Sequence, residues 1–262
     1  MLIERIWAAN ELRNYQYLIA SEASGEALAV DPLNAADVLA RARERGWTIT
    51  QILNTHEHLD HTAGNAGVVA ATGARVMAHA AGAARIGGVD RALQGGDAIT
   101  LGRDVHLQCL DTPGHTMAHI CLYAPGDAPL LFSGDTLFNA GVGNCRGGGD
   151  PASLYRTCSE VLAKLPPGTR LHPGHDYLRR NLEFTLDLEP GNAVARALHA
   201  RTAGTAPEAM PVLTLAEELA YNTFFRLREA ELVENLRRRQ PALGPGDPRS
   251  VFLALRELRN SW

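Results

Sequence analysis

Cysteine is scarce in this chain of 262 residues. The four present, Cys109, Cys121, Cys145 and Cys158, never stand in a Cys-x-x-Cys spacing. That excludes the dense pattern of an extracellular disulfide framework and leaves buried or half-buried free thiols in a reducing compartment as the expectation. Long apolar runs are missing too. The opening segment, Met1 to Trp7, carries Glu4 and Arg5 within its first five residues, so it resembles neither a signal peptide nor a membrane span, and a cytoplasmic protein without a membrane partner is expected. A basic excess is likewise absent: the formal net charge is −4, which argues against nucleic acid as a partner. Neither an internal repeat nor a low-complexity tract interrupts the chain.

What is present is an α/β rhythm. Up to about residue 175, short apolar runs rich in β-branched residues alternate with helical patterns and turn residues. Residues 49–55, 105–111, 130–133 and 169–172 read as strands. A helix from about Ala36 stops at Gly46, and another opens at Asp150-Pro151, carries Leu154, Cys158, Val161, Leu162 and Leu165 at helical spacing, and stops at Pro166-Pro167-Gly168. From about residue 176 the periodicity becomes helical throughout. Thr214 to Glu217 is a capping box, Asn222-Thr223 is expected to start the next helix, and Asp247-Pro248 to start the last, whose apolar stripe is Val251, Phe252, Leu255 and Leu258. Two domains follow from this reading: 1–175, α/β, and 176–262, helical.

Each expected strand delivers the chain into metal-ligand side chains. His56, His58, Asp60 and His61 follow the first, His115 the second, Asp135 the third and His175 the fourth. Five imidazoles and two carboxylates exceed what one tetrahedral ion needs, so two metal ions are the natural count. Residues i and i+2 share one side only of an extended segment, so His56 and His58 can grip one ion if the chain is extended there, whereas adjacent Asp60 and His61 require it to turn. A zincin helix is excluded because His-Glu-x-x-His would need histidine where Asp60 stands. His79, His106, His172 and His199 lack such context and are left as non-ligands, while His119 is a candidate for supporting a ligand from behind.

The segment Thr55-His-Glu-His-Leu-Asp-His61, with His115, Asp135 and His175, resembles the metallo-β-lactamase superfamily. The resemblance spans essentially the whole chain and implies an αβ/βα sandwich with metals at one edge. The C-terminal half narrows it. Gly174 to Tyr177, Asn181 to Phe184, Glu189 to Asn192, Thr214 to Asn222 and Phe225 to Arg228 closely resemble glyoxalase II, whose added helical domain carries such segments. By this resemblance His56, His58 and His115 hold one metal, Asp60, His61 and His175 the other, and Asp135 bridges them. The implied activity is hydrolysis of S-(2-hydroxyacyl)glutathione, typically S-D-lactoylglutathione, to glutathione and a 2-hydroxy acid. A hydroxide shared by two divalent cations would attack the thioester carbonyl, with Asp60 and Asp135 as the carboxylates that hold the centre. Zinc is the expected metal, with iron or manganese acceptable to the same nitrogen and oxygen donors.

The resemblance also implies the glutathione contacts: Tyr177, after the last metal histidine, and the basic pair Arg256 and Arg259 near the C-terminus. One loop departs from the pattern. Where the family has a Lys-Phe-Tyr-like run, this chain reads Asn144-Cys-Arg146 before three glycines, so Asn144 and Arg146 are the expected substitutes. The bland alternative for Arg256 and Arg259 is the solvated face of an amphipathic helix, the reading adopted for Arg237 to Arg239. Competing activities within the superfamily are a mono-iron glutathione persulfide dioxygenase, which would not need His61 and His175 as ligands and lacks the helical tail, and a lactonase or promiscuous β-lactamase. Either a monomer or a homodimer fits.

Overall fold

The computed structural model describes residues 1–244 and 247–262. Two sheets face each other. The first contains β1 (Leu2–Trp7), β2 (Tyr15–Ala20), β3 (Glu26–Val30), β4 (Thr48–Asn54), β5 (Arg75–His79) and β6 (Val89–Leu93), in that spatial order. Its first three strands are antiparallel and its last three continue parallel from β3. The chain then builds β7 (Ala98–Leu101), β8 (Val105–Asp111), β9 (Ile120–Ala124) and β10 (Leu130–Gly134), makes a two-stranded hairpin of β11 (Leu137–Phe138) and β12 (Gly141–Val142), and returns as β13 (Arg170–Pro173). The second sheet has the order β13-β10-β9-β8-β7.

Burial explains the layering. Val105, Leu107 and Cys109 of β8 point inward while His106 and Gln108 are exposed, the alternation of a strand with one wet face. Tyr17, Ile19, Leu28, Val30 and Leu53 of the first sheet meet Leu107, Ile120, Leu122 and Phe132 of the second in one apolar layer. His172 lies in this layer, stacked on Phe132, and burial lowers its pKa to about 3. Outside the first sheet lie α1 (Ala35–Arg45), the single turn α2 (Leu59–Thr62) and α3 (Asn65–Thr72). The first helix is capped by Asn34, whose side chain accepts from the Ala36 and Asp37 amides, and it ends on left-handed Gly46 at φ 69°.

Outside the second sheet lie α4 (Pro151–Arg156), extended by further helical turns to Lys164, then α5 (Leu178–Leu188), α6 (Ala193–Arg201), α7 (Leu215–Tyr221), α8 (Ala230–Arg239) and α9 (Pro248–Ser261). Helix, sheet, sheet and helix layers make the expected αβ/βα sandwich, closed on one side by C-terminal helices. Those helices bury Phe184, Phe224, Leu232, Phe252 and Leu255 in one cluster with Leu131 and Leu171 of the second sheet and Leu154 and Leu162 beside it. Asp150, Thr214 and Asp247 cap their helices with their side chains, the second in a full capping box. Asn222-Thr223 does not start a helix. Asn222 ends α7, its side-chain amide donates to Glu218 and to the Gly141 carbonyl, and turns carry the chain to Ala230. Asn222 Oδ1 does accept from the Phe224 amide (3.1 Å), as a cap would, but only turns follow it.

Glu218 ties α7 to the hairpin. Its fully buried carboxylate accepts from Asn139 Nδ2 (3.0 Å), the Ala140 amide (2.8 Å), Tyr221 Oη (2.7 Å) and Asn222 Nδ2 (2.9 Å). Burial pushes its pKa up to about 7, against those four donors. It holds Ala140, at φ 58°, in the strained turn between β11 and β12. Because all four partners donate, Glu218→Gln brings a donor against a donor and should cost about 1–3 kcal/mol of unfolding free energy, measured by urea titration. An unchanged midpoint would show the strut to be dispensable.

Candidate metal centre and adjoining cavity

The strand directions put the donors together. β8 and β10 are both antiparallel to β9, and β13 is parallel to β10, so β8, β10 and β13 share a direction and their C-terminal ends lie along one edge. At that edge the two sheets are stitched by backbone hydrogen bonds from Ile120 to the Thr55 carbonyl and from Tyr15 to the Gly174 carbonyl, each 2.8 Å. β4 therefore presents its following loop to the ends of the second sheet. His58 is extended (φ −68°, ψ 145°), and α2 then turns Asp60 and His61 away from it.

Three groups of donor atoms result, each within 4.8 Å: His56, His58 and His115; His56, His61 and Asp135; Asp60, His61 and His175. His58 Nδ1 lies 3.1 Å from His56 Nε2 and 3.0 Å from His115 Nε2. His61 Nε2 is 3.2 Å from His175 Nε2 and 3.4 Å from Asp60 Oδ2. Asp135 faces both sides, with Oδ1 3.3 Å from His61 Nε2 and Oδ2 3.6 Å from His115 Nε2 and 3.2 Å from His175 Nε2.

The ring nitrogens turned away from the cluster have partners. His61 Nδ1 meets Asp31 (3.0 Å), His115 Nδ1 the Asn144 carbonyl (2.6 Å), His175 Nδ1 the Leu12 carbonyl (2.6 Å), His58 Nε2 the Gly147 carbonyl (3.1 Å) and His56 Nδ1 the Thr55 hydroxyl (3.0 Å). Donation to a carbonyl fixes the tautomer and leaves the opposite nitrogen as a lone pair. Lone pairs therefore converge on one another, and Asp135 Oδ1 is buried with no hydrogen-bond partner. Cations satisfy such an arrangement, so the donor set fits divalent metal ions.

The electrostatics agree. Burial lowers the pKa of His56 and of His115, favouring neutral imidazoles. Burial opposes ionisation of Asp135, yet His175 and His61 hold its carboxyl well below the usual range. At His61 burial is outweighed by Asp135 and Asp31, which raise its pKa. The centre thus attracts positive charge where its carboxylates stand.

Three supporting residues had no local signal. Asp31, at φ 50° after β3, accepts from the Thr55 amide and hydroxyl, both 2.7 Å, besides facing His61. Asn14 donates to Asp60 Oδ2 (3.0 Å). Gly134 has φ +47°, and a Cβ there would lie 2.5 Å from Thr55 Oγ1 and 2.7 Å from His119 Nε2. His119, singled out by its spacing, accepts from the Asp135 amide at 3.2 Å and is held by Thr112 and Thr136. A lone Asp or Asn carries no sequence pattern, and only its far-off partner reveals it.

A cavity of about 240 Å³ adjoins the cluster, and Asn144, Arg146, Tyr177, Arg256 and Arg259 all line it. Tyr177 stacks on His175 at 4.9 Å, its hydroxyl donating to the Leu12 carbonyl. Arg146 is exposed and donates to the Asn260 carbonyl. Arg256 and Arg259 are not on a solvated face. Arg256 is only 4% exposed and donates to the Val142 and Gly143 carbonyls and to Asn260 Oδ1. Arg259, half-buried, donates to Asn181 and covers Phe184 and Trp262.

Residues 10–191 match the family profile of the metallo-β-lactamase superfamily, and residues 176–262 that of the hydroxyacylglutathione hydrolase C-terminus. The chain belongs to the hydroxyacylglutathione hydrolases of that superfamily. A hydroxyacylglutathione hydrolase of Polaromonas sp. is 54% identical over 100% of both chains. One of Nitrosococcus oceani is 53% identical, again over 100% of both. Among solved structures, ETHE1 from Myxococcus xanthus superposes with a TM-score of 0.68 at 26% identity, over 100% of this chain and 99% of that one. The BLEG-1 B3 metallo-β-lactamase, at 21% identity and a TM-score of 0.64 over 86% of this chain and 99% of its own, shares the fold.

Asp31→Ala should lower metal affinity about 10–100-fold, the usual effect of removing the hydrogen-bond partner of a ligand. Competition against a chromophoric chelator measures it, and unchanged affinity would remove Asp31 from the centre.

Proposed function

We propose that this hydrolase cleaves S-(2-hydroxyacyl)glutathione, S-D-lactoylglutathione being the type substrate, to glutathione and a 2-hydroxy acid. The observation that carries the substrate is Arg256. A guanidinium 4% exposed, with carbonyl and amide partners but no carboxylate among the described residues, stands at the wall of a cavity beside a metal-ligand cluster. A buried cation without a counter-charge is costly, and an anionic ligand group offsets that cost. Glutathione brings two carboxylates. Burial lowers the pKa of Arg256 to about 10, which still leaves it charged at neutral pH.

In this reading His56, His58 and His115 would hold one divalent cation, Asp60, His61 and His175 the other, and Asp135 would serve both. Such ions would supply an acidified water as nucleophile and positive charge for the developing oxyanion. Zinc is our assignment, and iron or manganese suits the same donors. The chain's part is positioning. Arg256 and Arg259 grip carboxylate, Asn144 and Arg146 border the same cavity from the loop, and Tyr177 forms the wall between cavity and centre. Residues 1–175 would then supply the metal ligands and 176–262 most of the substrate contacts.

No covalent enzyme intermediate is called for. Burial pushes the pKa of Cys145, the half-buried thiol of the loop, up to about 11, so it is a poor nucleophile. The departing glutathione thiolate, with an intrinsic pKa of about 8.5, needs no acid from the chain. The four unpaired thiols support a reducing compartment such as the cytoplasm, and among the described residues no helix is long and apolar enough to cross a membrane. A mono-iron centre would leave the group of Asp60, His61 and His175 without a purpose.

Complete chelation should abolish thioester hydrolysis, and about two equivalents of zinc per chain should restore it, with metal content and S-D-lactoylglutathione turnover measured on one preparation. Two bound metals without turnover would overturn the substrate. Arg256→Ala should raise KM about 10–100-fold with kcat nearly unchanged, since the contact serves ground and transition states alike. A loss confined to kcat would contradict it.

A further inference from the structure

Tyr177 and Arg259 border a second, larger cavity of about 660 Å³, which Arg256 does not line. Its basic residues differ in how they are engaged. Arg13 is paired with Asp176, and Arg179 donates to the Thr202 carbonyl. Arg259 is half-buried and bound only to an amide oxygen and aromatic faces. Arg180, in the first turn of α5, is exposed and has neither a hydrogen bond nor an ion pair among the described residues. Burial lowers the pKa of Arg259, and the like charge of Arg180 lowers it further, so two guanidiniums face one space; of the carboxylates that line it, Asp176 is paired with Arg13 and Glu183 meets His199. Glu11, exposed and unpaired among the described residues, lines the same cavity.

We infer that this second cavity binds a zwitterionic α-amino acid head, the γ-glutamyl end of the thioester, with Arg180 and Arg259 on its carboxylate and Glu11 on its ammonium. The inference rests on the glutathione reading and deepens it. The two ends of the tripeptide differ in kind. The glycine end is a bare carboxylate and suits the smaller cavity, where the cation Arg256 is buried and no acidic side chain lines the wall. The γ-glutamyl end carries both charges and needs more room, which only the larger cavity offers. Arg259 lines both cavities, so a substrate running past Tyr177 meets cations at each end. The assignment makes Arg180 a specificity residue for the peptide part of the substrate, remote from the bond that breaks.

The test compares two thioesters: S-D-lactoylglutathione, and the same thioester of 4-aminobutyryl-cysteinylglycine, which lacks only the glutamyl α-carboxylate. Arg180→Ala should raise KM for the glutathione thioester about tenfold, the worth of one charge-assisted contact, with kcat within about twofold. It should leave KM for the truncated thioester where the unaltered enzyme has it, and Arg180→Lys should recover part of the loss. Equal effects on both thioesters, or none on either, would overturn the role of Arg180 while leaving hydrolysis intact. If the unaltered enzyme turned over neither thioester, the glutathione reading would fall and this inference with it.

Discussion

Lone pairs that point at one another govern this structure. Ring nitrogens of His56, His58 and His115 converge to about 3 Å, as do those of His61 and His175, with Asp135 between the groups. A proton on His61, favoured by Asp135 and Asp31, relieves part of that convergence, and the fold holds the remaining lone pairs together for cations to satisfy. It does so by tying down the far side of each ring, with loop carbonyls for His58, His115 and His175, the Thr55 hydroxyl for His56 and the Asp31 carboxylate for His61. The sandwich core beneath supplies the rigidity: a nearly dry apolar layer whose strands cannot slip without turning their inward side chains outward.

The same logic extends to the substrate side. Arg256 is held inward because it shares a helix face with Phe252 and Leu255, so apolar burial of α9 places a cation where water alone would never put it. Glu218 braces the hairpin whose carbonyls receive that cation. The helical region thus packs as part of the sandwich's outer layer, and its contribution to binding comes from register as much as from side-chain chemistry. Arg259, between two cavities, is the hinge of the proposed peptide site.

Strand ends and ligand islands were legible because each leaves a local pattern: β-branched runs stop at residues with ligand chemistry, and helices announce themselves by Asp150, Thr214 and Asp247. Asn222 misled for an instructive reason. An amide before an apolar run has the grammar of a cap, and its Oδ1 does accept from the Phe224 amide, but its Nδ2 is held by Glu218 and Gly141, partners set by tertiary packing, and only turns follow. Asp31 and Asn14 were silent because their meaning lies in residues 30 and 46 positions away. Arg180 was silent because an exposed arginine on an amphipathic helix looks like any other until the cavity it faces is seen.

The sequence by itself determined the donor chemistry, its division among four strand ends and the capped helices that follow, since ligand type and local periodicity depend only on nearby residues. The tertiary structure decided which nitrogen of each imidazole faces the centre, that Arg256 is buried without a counter-charge among the described residues, and that two cavities meet at Tyr177. Those are consequences of how two sheets and a helical layer close on one another, and no short stretch of chain contains them.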